Sequence, residues 1–279
     1  MSDQGPSDFR IAAASYGKDL VRLVTWTEVA DGHDVRDVSL TVTAEGDFHA
    51  SYLHGDNSRI LPSDTLRRHA LAQGELSQSA PVEHLIAAIA ARLLDANPAF
   101  TAVRIEANSR TWCRTGSHSF QLAPWRSIAG LRLTRTGEHH VSGAISDLSI
   151  LATTGSAFAG FLRDGLTVQP QSSDRPICGT LDTTWTYHEP PATPIAPGAM
   201  VAGITAALSD RRSNAIQQLL TEAGQHVLAQ YRELARLTLT FRSLPLSPLP
   251  GDLPGTRTGY AAEIGDSPIG LTQVELRPR

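Results

Sequence analysis

FRIAAASYGKDLVRLVTW, residues 9–26, and DVRDVSLTVTAEGDFHASYL, residues 34–53, alternate apolar with polar side chains and are joined by the turn-prone ADGHD at 30–34. A period of two is the pattern of a strand with one buried face, so this stretch predicts two long strands folded into a hairpin. Within the first run stands Lys18, the only lysine of the chain, although Lys and Arg together number 24. Its solitude makes it the first residue to ask about.

Helices follow the hairpin. In LPSDTLRRHALAQGEL (61–76), Ser63 or Asp64 is placed to cap a helix, and in SAPVEHLIAAIAARLLDANP (79–98) Pro81 suits a first helical turn. Val82, Leu85, Ile86, Ile89 and Leu93 then form one apolar stripe, as a helix lying on a sheet requires. Strands are expected again in FTAVRIEANSRTWCR (100–114) and HSFQLAPWRSIAGLRLTRTG (118–137).

The second half repeats this order loosely. Strands at 139–154 and 179–189 precede a helical stretch from about Pro197 to Leu234, and strands at 236–241, 258–264 and 269–276 end the chain. Two ββααββ-like units, 8–137 and 138–279, imply an α+β fold of antiparallel sheets with helices gathered on one face. The other face of each sheet needs cover, which further copies of the chain can supply. Residues 243–259, SLPLSPLPGDLPGTRTG, are expected to form an irregular loop without helix or long strand.

Composition excludes several functions. No run approaches the ~20 apolar residues of a membrane helix, and the N-terminus lacks the pattern of a signal peptide. A cytoplasmic protein of bacterial type is expected, since the terminal ELRPR is no peroxisomal address. A net charge of -4 argues against a nucleic-acid surface. Cys113 and Cys178 have no partner spacing and read as buried free thiols. The ten histidines show no metal-ligand spacing, and His139-His140 reads as solvent-facing. No GxSxG, GxxxxGK or GxGxxG occurs, so serine hydrolase, phosphate-loop and dinucleotide readings lack support.

Subtler signals remain. Asp56, Asn57, Ser58, Ser63 and Asp64 crowd a connection into a helix, where backbone amides can hold an anion, although turn and cap chemistry accounts for them equally. Phe158 and Phe161 flank glycine, and Arg163 and Arg175 bracket a polar loop. YGKDLVR (16–22), GDNSRILPSDT (55–65), SHSF (117–120), FAGFLRD (158–164) with SDR (173–175), LDTTWTY (181–187) and SPIGL (267–271) resemble the urate oxidase (uricase) family in order and spacing over nearly the whole chain. The resemblance implies tandem tunnelling-fold (T-fold) domains and a homotetramer around a tunnel, with active sites shared between subunits. It also implies oxidation of a purine by O2 with neither metal nor organic cofactor.

The resemblance also assigns roles. Lys18 falls on the family's catalytic lysine, which explains why arginine does not stand there: a guanidinium stays protonated, whereas a desolvated amine can lose and regain a proton. Ser63 takes the place of the relay threonine donated by a neighbouring subunit, and Asp64 follows it as the family's aspartate does. Phe158 corresponds to the aromatic that stacks on the ring. Arg175, 17 residues on, corresponds to the fork that grips carbonyl oxygen and ring nitrogen. Ile216 and Gln217 correspond to the pair that reads the opposite edge. One departure stands out. The family's asparagine and histidine after the long helix are missing, for no asparagine follows Asn214 and no histidine follows His226. Ser243 replaces one of them and can hold a water but cannot serve as a base near neutrality. Three readings follow: oxidation of urate to 5-hydroxyisourate, tailoring oxidation of another N-heterocycle in a biosynthetic pathway, or ring binding without catalysis.

Overall fold

The computed structural model describes residues 10–77, 80–209, 211–248, 262–265 and 269–278. It divides into two units, one running to Ala123 with Ile128–Ser142 added, the other comprising Pro124–Ser127 and the chain from Gly143 onward.

The first unit holds β1 (Ser15–Val29), β2 (Gly32–Gly46), α1 (His49–His54), α2 (Ser63–Leu76), α3 (Val82–Ala96), β3 (Phe100–Arg114) and most of β4 (Phe120–Thr134). The strands neighbour each other in chain order. The β1–β2 hairpin closes through Ala30 and Asp31, with Val29 opposite Gly32. Gly32 takes φ 124°, which only glycine adopts without strain. Strand β2 ends at Gly46, earlier than its apolar pattern suggested, because residues 49–54 of the same run wind into α1. Alternate residues Val38, Leu40, Val42 and Ala44 of β2 pack with Val103, Ile105 and Ala107 of β3 against Leu66 and Ala70 of α2 and Leu85, Ile86, Ile89 and Leu93 of α3. All of these are inaccessible, so each aliphatic side chain contributes about 1.5–3 kcal/mol by leaving water. The sheet alternation and the helical stripe thus bury the same face.

Neither Ser63 nor Asp64 caps α2. Pro62 occupies that position in extended backbone, and Ser63 is the first helical residue. Pro81 does the same for α3. The Ser63 hydroxyl is thereby released from capping.

The second unit contains most of β5 (His139–Phe158), then β6 (Ser172–Tyr187), α4 (Pro197–Leu208), α5 (Ile216–Gln230), β7 (Leu234–Leu244), β8 (Leu246–Pro248), β9 (Ala262–Ile264) and β10 (Gly270–Leu276). Its main strands follow the order β5-β6-β7-β10. The helical stretch expected from Pro197 to Leu234 is two helices, the first ending at Leu208 and the second starting at Ile216, and between them Ser213 bridges back to β5. Leu181, Trp185, Met200, Ile204, Leu220, Val227, Leu237 and Leu239 form its buried interior. Trp185 requires Gly143 beneath it, since a Cβ there would stand 2.3 Å from the indole. The loop expected at 243–259 includes the end of β7 and the short β8, which pairs with β9; residues 249–259 lie outside the described residues. Cys113 is exposed and Cys178 half-buried, so the expectation of two buried thiols fails: Cys113 lies near the frayed end of β3, beyond the covering helices. His139 and His140 face solvent.

Candidate active site

Lys18 and Ser63 belong to the first unit. The Tyr16 hydroxyl donates to Leu61 O at 2.8 Å and accepts from Leu61 N at 2.9 Å, tying β1 to the chain just ahead of Ser63. At the other end, Gly74 of α2 lies against Leu23, so helix and strand run side by side. Lys18 is two residues from Tyr16 and shares its face of β1. It is half-buried and pairs with Val42. Neither its ammonium group nor the Ser63 hydroxyl has a hydrogen-bond partner among the described residues.

Immediately after Lys18 the strand is bulged, with Asp19 and Leu20 together facing Thr41. Leu20 adopts φ 53°, a left-handed conformation costly for a branched side chain. Asp19 holds the bulge by accepting from Thr41 Oγ1 at 2.5 Å and from Leu20 N at 2.8 Å. These bonds, the one from Thr41 foremost, hold its carboxyl below the usual aspartate range. Asp64 accepts from Arg67 Nε at 2.8 Å and Arg68 Nε at 3.1 Å, which likewise lowers its pKa. Asp56 and Asn57 take part in local turns, accepting from Ser58 N and the Ser51 hydroxyl respectively.

Phe158, Arg175, Ile216 and Gln217 belong to the second unit. Phe158 ends β5 and stacks on Phe161, with centroids 4.7 Å apart and planes 18° apart, while the chain turns between them at Gly160 with φ 71°. The Arg175 guanidinium lies over the Phe158 ring, its Cζ 4.9 Å from the centroid. Burial presses the Arg175 pKa downward, and its Nε is sealed from solvent without an acceptor among the described residues. An unmet guanidinium donor of this kind costs about 1–3 kcal/mol until something accepts from it. Arg163, by contrast, closes its own loop by donating to Gln169 O and Thr167 O at 3.2 Å.

Asp174 locks β5 to β6. It accepts from Gly155 N at 2.7 Å and from the Thr154 hydroxyl, and the Thr154 bond leads in lowering its pKa. The 209–215 segment is stitched to the same place, Ser213 N donating to Gly155 O at 2.9 Å and Ala157 N to Ser213 O at 2.8 Å. Three residues later α5 begins at Ile216, with Gln217 exposed in its first turn and Gln218 folded back to accept from Asn214 N. The strand end, Arg175 and the start of α5 are thus brought to one locality. Ser156 and Ser213, both buried there, were not flagged by the sequence, because no motif distinguishes them from turn serines. A cavity of about 630 Å³ opens beside them between residues 149–155 and the end of α4, with Arg211 and Arg212 on its wall.

Ser243 stands apart. It pairs with Gly179 and Gly270, and its hydroxyl donates to Gly270 O at 3.3 Å. Gly179 is four residues, about 13 Å of strand, beyond Arg175. Among the described residues no cluster of three metal-ligating side chains occurs. No helix among them is long and apolar enough to cross a membrane.

Known proteins give a consistent match. Residues 141–252 fit the family model described as Uricase. The chain is 27% identical over 271 residues to the uricase of Arthrobacter globiformis, spanning 94% of this chain and 88% of that one. With the uricase of Oryctolagus cuniculus it shares 26% identity over 190 residues, 65% of this chain and 63% of the relative. The crystal structure of the Arthrobacter uricase superposes with a TM-score of 0.87 at 23% identity, covering 98% of this chain and 96% of that one. The urate oxidase of Bacillus sp. TB-90 gives 0.82 at 16%, covering 95% of this chain and all of the other.

Proposed function

We propose that this chain, which belongs to the urate oxidase family, uses O2 without metal or organic cofactor to oxidise urate to 5-hydroxyisourate. The flat ring displaces Phe161 from the face of Phe158 that it covers in this structure. The Arg175 fork donates to a carbonyl oxygen and its neighbouring ring nitrogen, and Ile216 N–H with the Gln217 amide reads the opposite edge. A neighbouring copy in a homotetramer brings Lys18, Ser63 and Asp64, and the lysine and serine relay the ring's proton. Two electrons pass from the ring to O2. Water supplies the hydroxyl oxygen, and hydrogen peroxide leaves, so that atoms and electrons balance.

The observation that carries this reading is Arg175, held over an aromatic face with a buried donor for which the described residues offer no acceptor. A planar, acceptor-edged ring satisfies both features at once. The test is to incubate purified protein with urate in air, following the ultraviolet band of urate, oxygen uptake and peroxide. Matched loss of urate and O2 with equimolar peroxide is expected. Absence of all three, in a protein whose melting temperature urate does not raise, would sink the proposal.

A second reading rests on Ser243 and the missing asparagine and histidine: the same clamp holds a different N-heterocycle, oxidised as a tailoring step. Urate that stabilises the protein without being consumed, together with oxygen uptake on another purine-like ring, would favour it.

A further inference from the structure

Just ahead of α2, the first unit is held by a side chain to which the scheme above gives no task. The Tyr16 hydroxyl donates to Leu61 O at 2.8 Å and accepts from Leu61 N at 2.9 Å, so one phenol oxygen grips both backbone polar groups of a single residue. The ring of Tyr16 has a separate role. It meets Phe48 edge-on with centroids 4.9 Å apart and Phe100 at 6.2 Å, a place phenylalanine would fill as well. What tyrosine adds is the oxygen. Burial, partly offset by the bond with Leu61, keeps the phenol pKa above its ordinary value, so the group stays a neutral hydroxyl, the form that donates and accepts at once.

Two short, stiff steps lead from this clamp to the relay pair. Along β1, Tyr16 lies opposite Ala44 and Lys18 opposite Val42 in unbroken register with β2, and two residues of strand span about 7 Å. Along the other segment, Leu61 leads through Pro62, at φ -52° and ψ 140°, to Ser63, the first residue of α2. Thr65 N and Leu66 N both bond to Pro62 O, which fixes the helix start to that same proline. Tyr16, Ile60 and Leu61 pack together on the core of the first unit. Lys18 and Ser63 therefore each stand two residues beyond the clamped pair.

We infer that Tyr16 is a positioning residue, whose hydroxyl holds the 61–63 segment on β1 and thereby sets where the Ser63 hydroxyl stands relative to the Lys18 amine. This rests on the relay proposed above and adds the part that aligns it. Proton transfer between a hydroxyl and an amine needs the two heavy atoms about 2.6–3.2 Å apart, directly or through one water, and a displacement of about 1 Å is enough to miss that window. The ring is gripped by the second unit, so loosening the clamp slows turnover without weakening the grip.

The experiment measures kcat and KM for urate by oxygen uptake, well below the melting temperature, in wild type, Tyr16→Phe, Ser63→Ala and the double variant. Tyr16→Phe lowers kcat about 10–100-fold with KM within about twofold. In the Ser63→Ala background the same change costs nothing further, because the hydroxyl it aligns is gone. A merely structural loss would lower kcat again in that background. Should Tyr16→Phe fail to fold, Leu61→Pro removes only the N–H from which the phenol accepts and gives the same split between kcat and KM at smaller size. Unchanged kcat in Tyr16→Phe, or losses that multiply in the double variant, overturn this inference and leave the ring site standing. A wild type that takes up oxygen with neither urate nor any other purine-like ring overturns both.

Discussion

Two strands of this molecule each carry a non-glycine residue at positive φ, and the chain has used the two irregularities differently. In β1 the run Gly17-Lys18-Asp19-Leu20-Val21 places Leu20 at φ 53°, and in β5 the run Ile145-Ser146-Asp147-Leu148-Ser149 places Asp147 at φ 64°. The first kink is held by one aspartate working locally, with Asp19 bonded to Leu20 N and Thr41. The second is embedded in a charged network: Asp147 N donates to Asp182 at 3.0 Å, Arg126 pairs with Asp147 at 3.0 Å, and Arg242 pairs with Asp182. The charges of the second kink answer one another. The first leaves half-buried Lys18 without a hydrogen-bond or ion-pair partner among the described residues. An irregular strand position can therefore be tied into a charged network in one unit and held by a single local clasp in the other.

The largest effect expected from breaking this contrast is at Lys18. Lys18→Arg keeps the charge but replaces an amine that can give up its proton with a guanidinium that cannot, and should lower urate-dependent oxygen uptake about 10²–10⁴-fold with the circular dichroism melt unchanged. Ser146→Ala, beside the irregularity of β5, should leave uptake within about twofold, since its hydroxyl has no part in the proposed proton relay. Equal losses in the two variants would erase the distinction.

Stability should show the reverse asymmetry. Asp182→Asn removes the charge facing Arg242 and weakens the acceptor for Asp147 N, costing about 1–3 kcal/mol in urea melts. Asp19→Asn should cost less, because its carboxylate is exposed and serves only its own bulge. A smaller gain is expected from Leu20→Gly. The leucine is 77% exposed, so little packing is lost, and relief of the left-handed strain raises stability by up to about 1 kcal/mol. Asp147→Gly should show no such gain, since aspartate tolerates that conformation and its partners are lost.

Acid titration gives the finest test. Because Asp19 is held below the usual aspartate value, it stabilises the folded state at pH above ~3.9, and this contribution fades as pH falls through its depressed folded value. The melting-temperature gap between wild type and Asp19→Asn should be constant near neutrality and close in strong acid. A gap that widens on acidification would contradict the assigned clasp.

Much of this architecture can be read in the sequence because its signals are local. The alternation of β2 and the stripe of α3 each repeat within one element, and both bury the faces they mark. Where two local signals competed, the stronger long-range constraint won. The apolar pattern of β2 ran on past Gly46, but α1 takes over there, and the proline ahead of Ser63 displaced the side-chain cap. Phe158 and Arg175 were legible from their spacing within recognisable motifs. Ser156 and Ser213 were not, since what distinguishes them is burial and a bridge between distant segments.

The amino-acid sequence alone determined the strand and helix order, the solitary lysine, and the loss of any histidine after His226, all of which are properties of neighbouring residues or of composition. Only the tertiary structure decided that Arg175 Nε would be sealed without an acceptor among the described residues, that Ser156 and Ser213 would meet in a buried bridge, and that Ser243 would turn to Gly270. The physical reason is range. Side-chain periodicity is fixed by backbone geometry over a few residues, whereas an unmet hydrogen bond is defined by every group that fails to reach it, and those lie far along the chain.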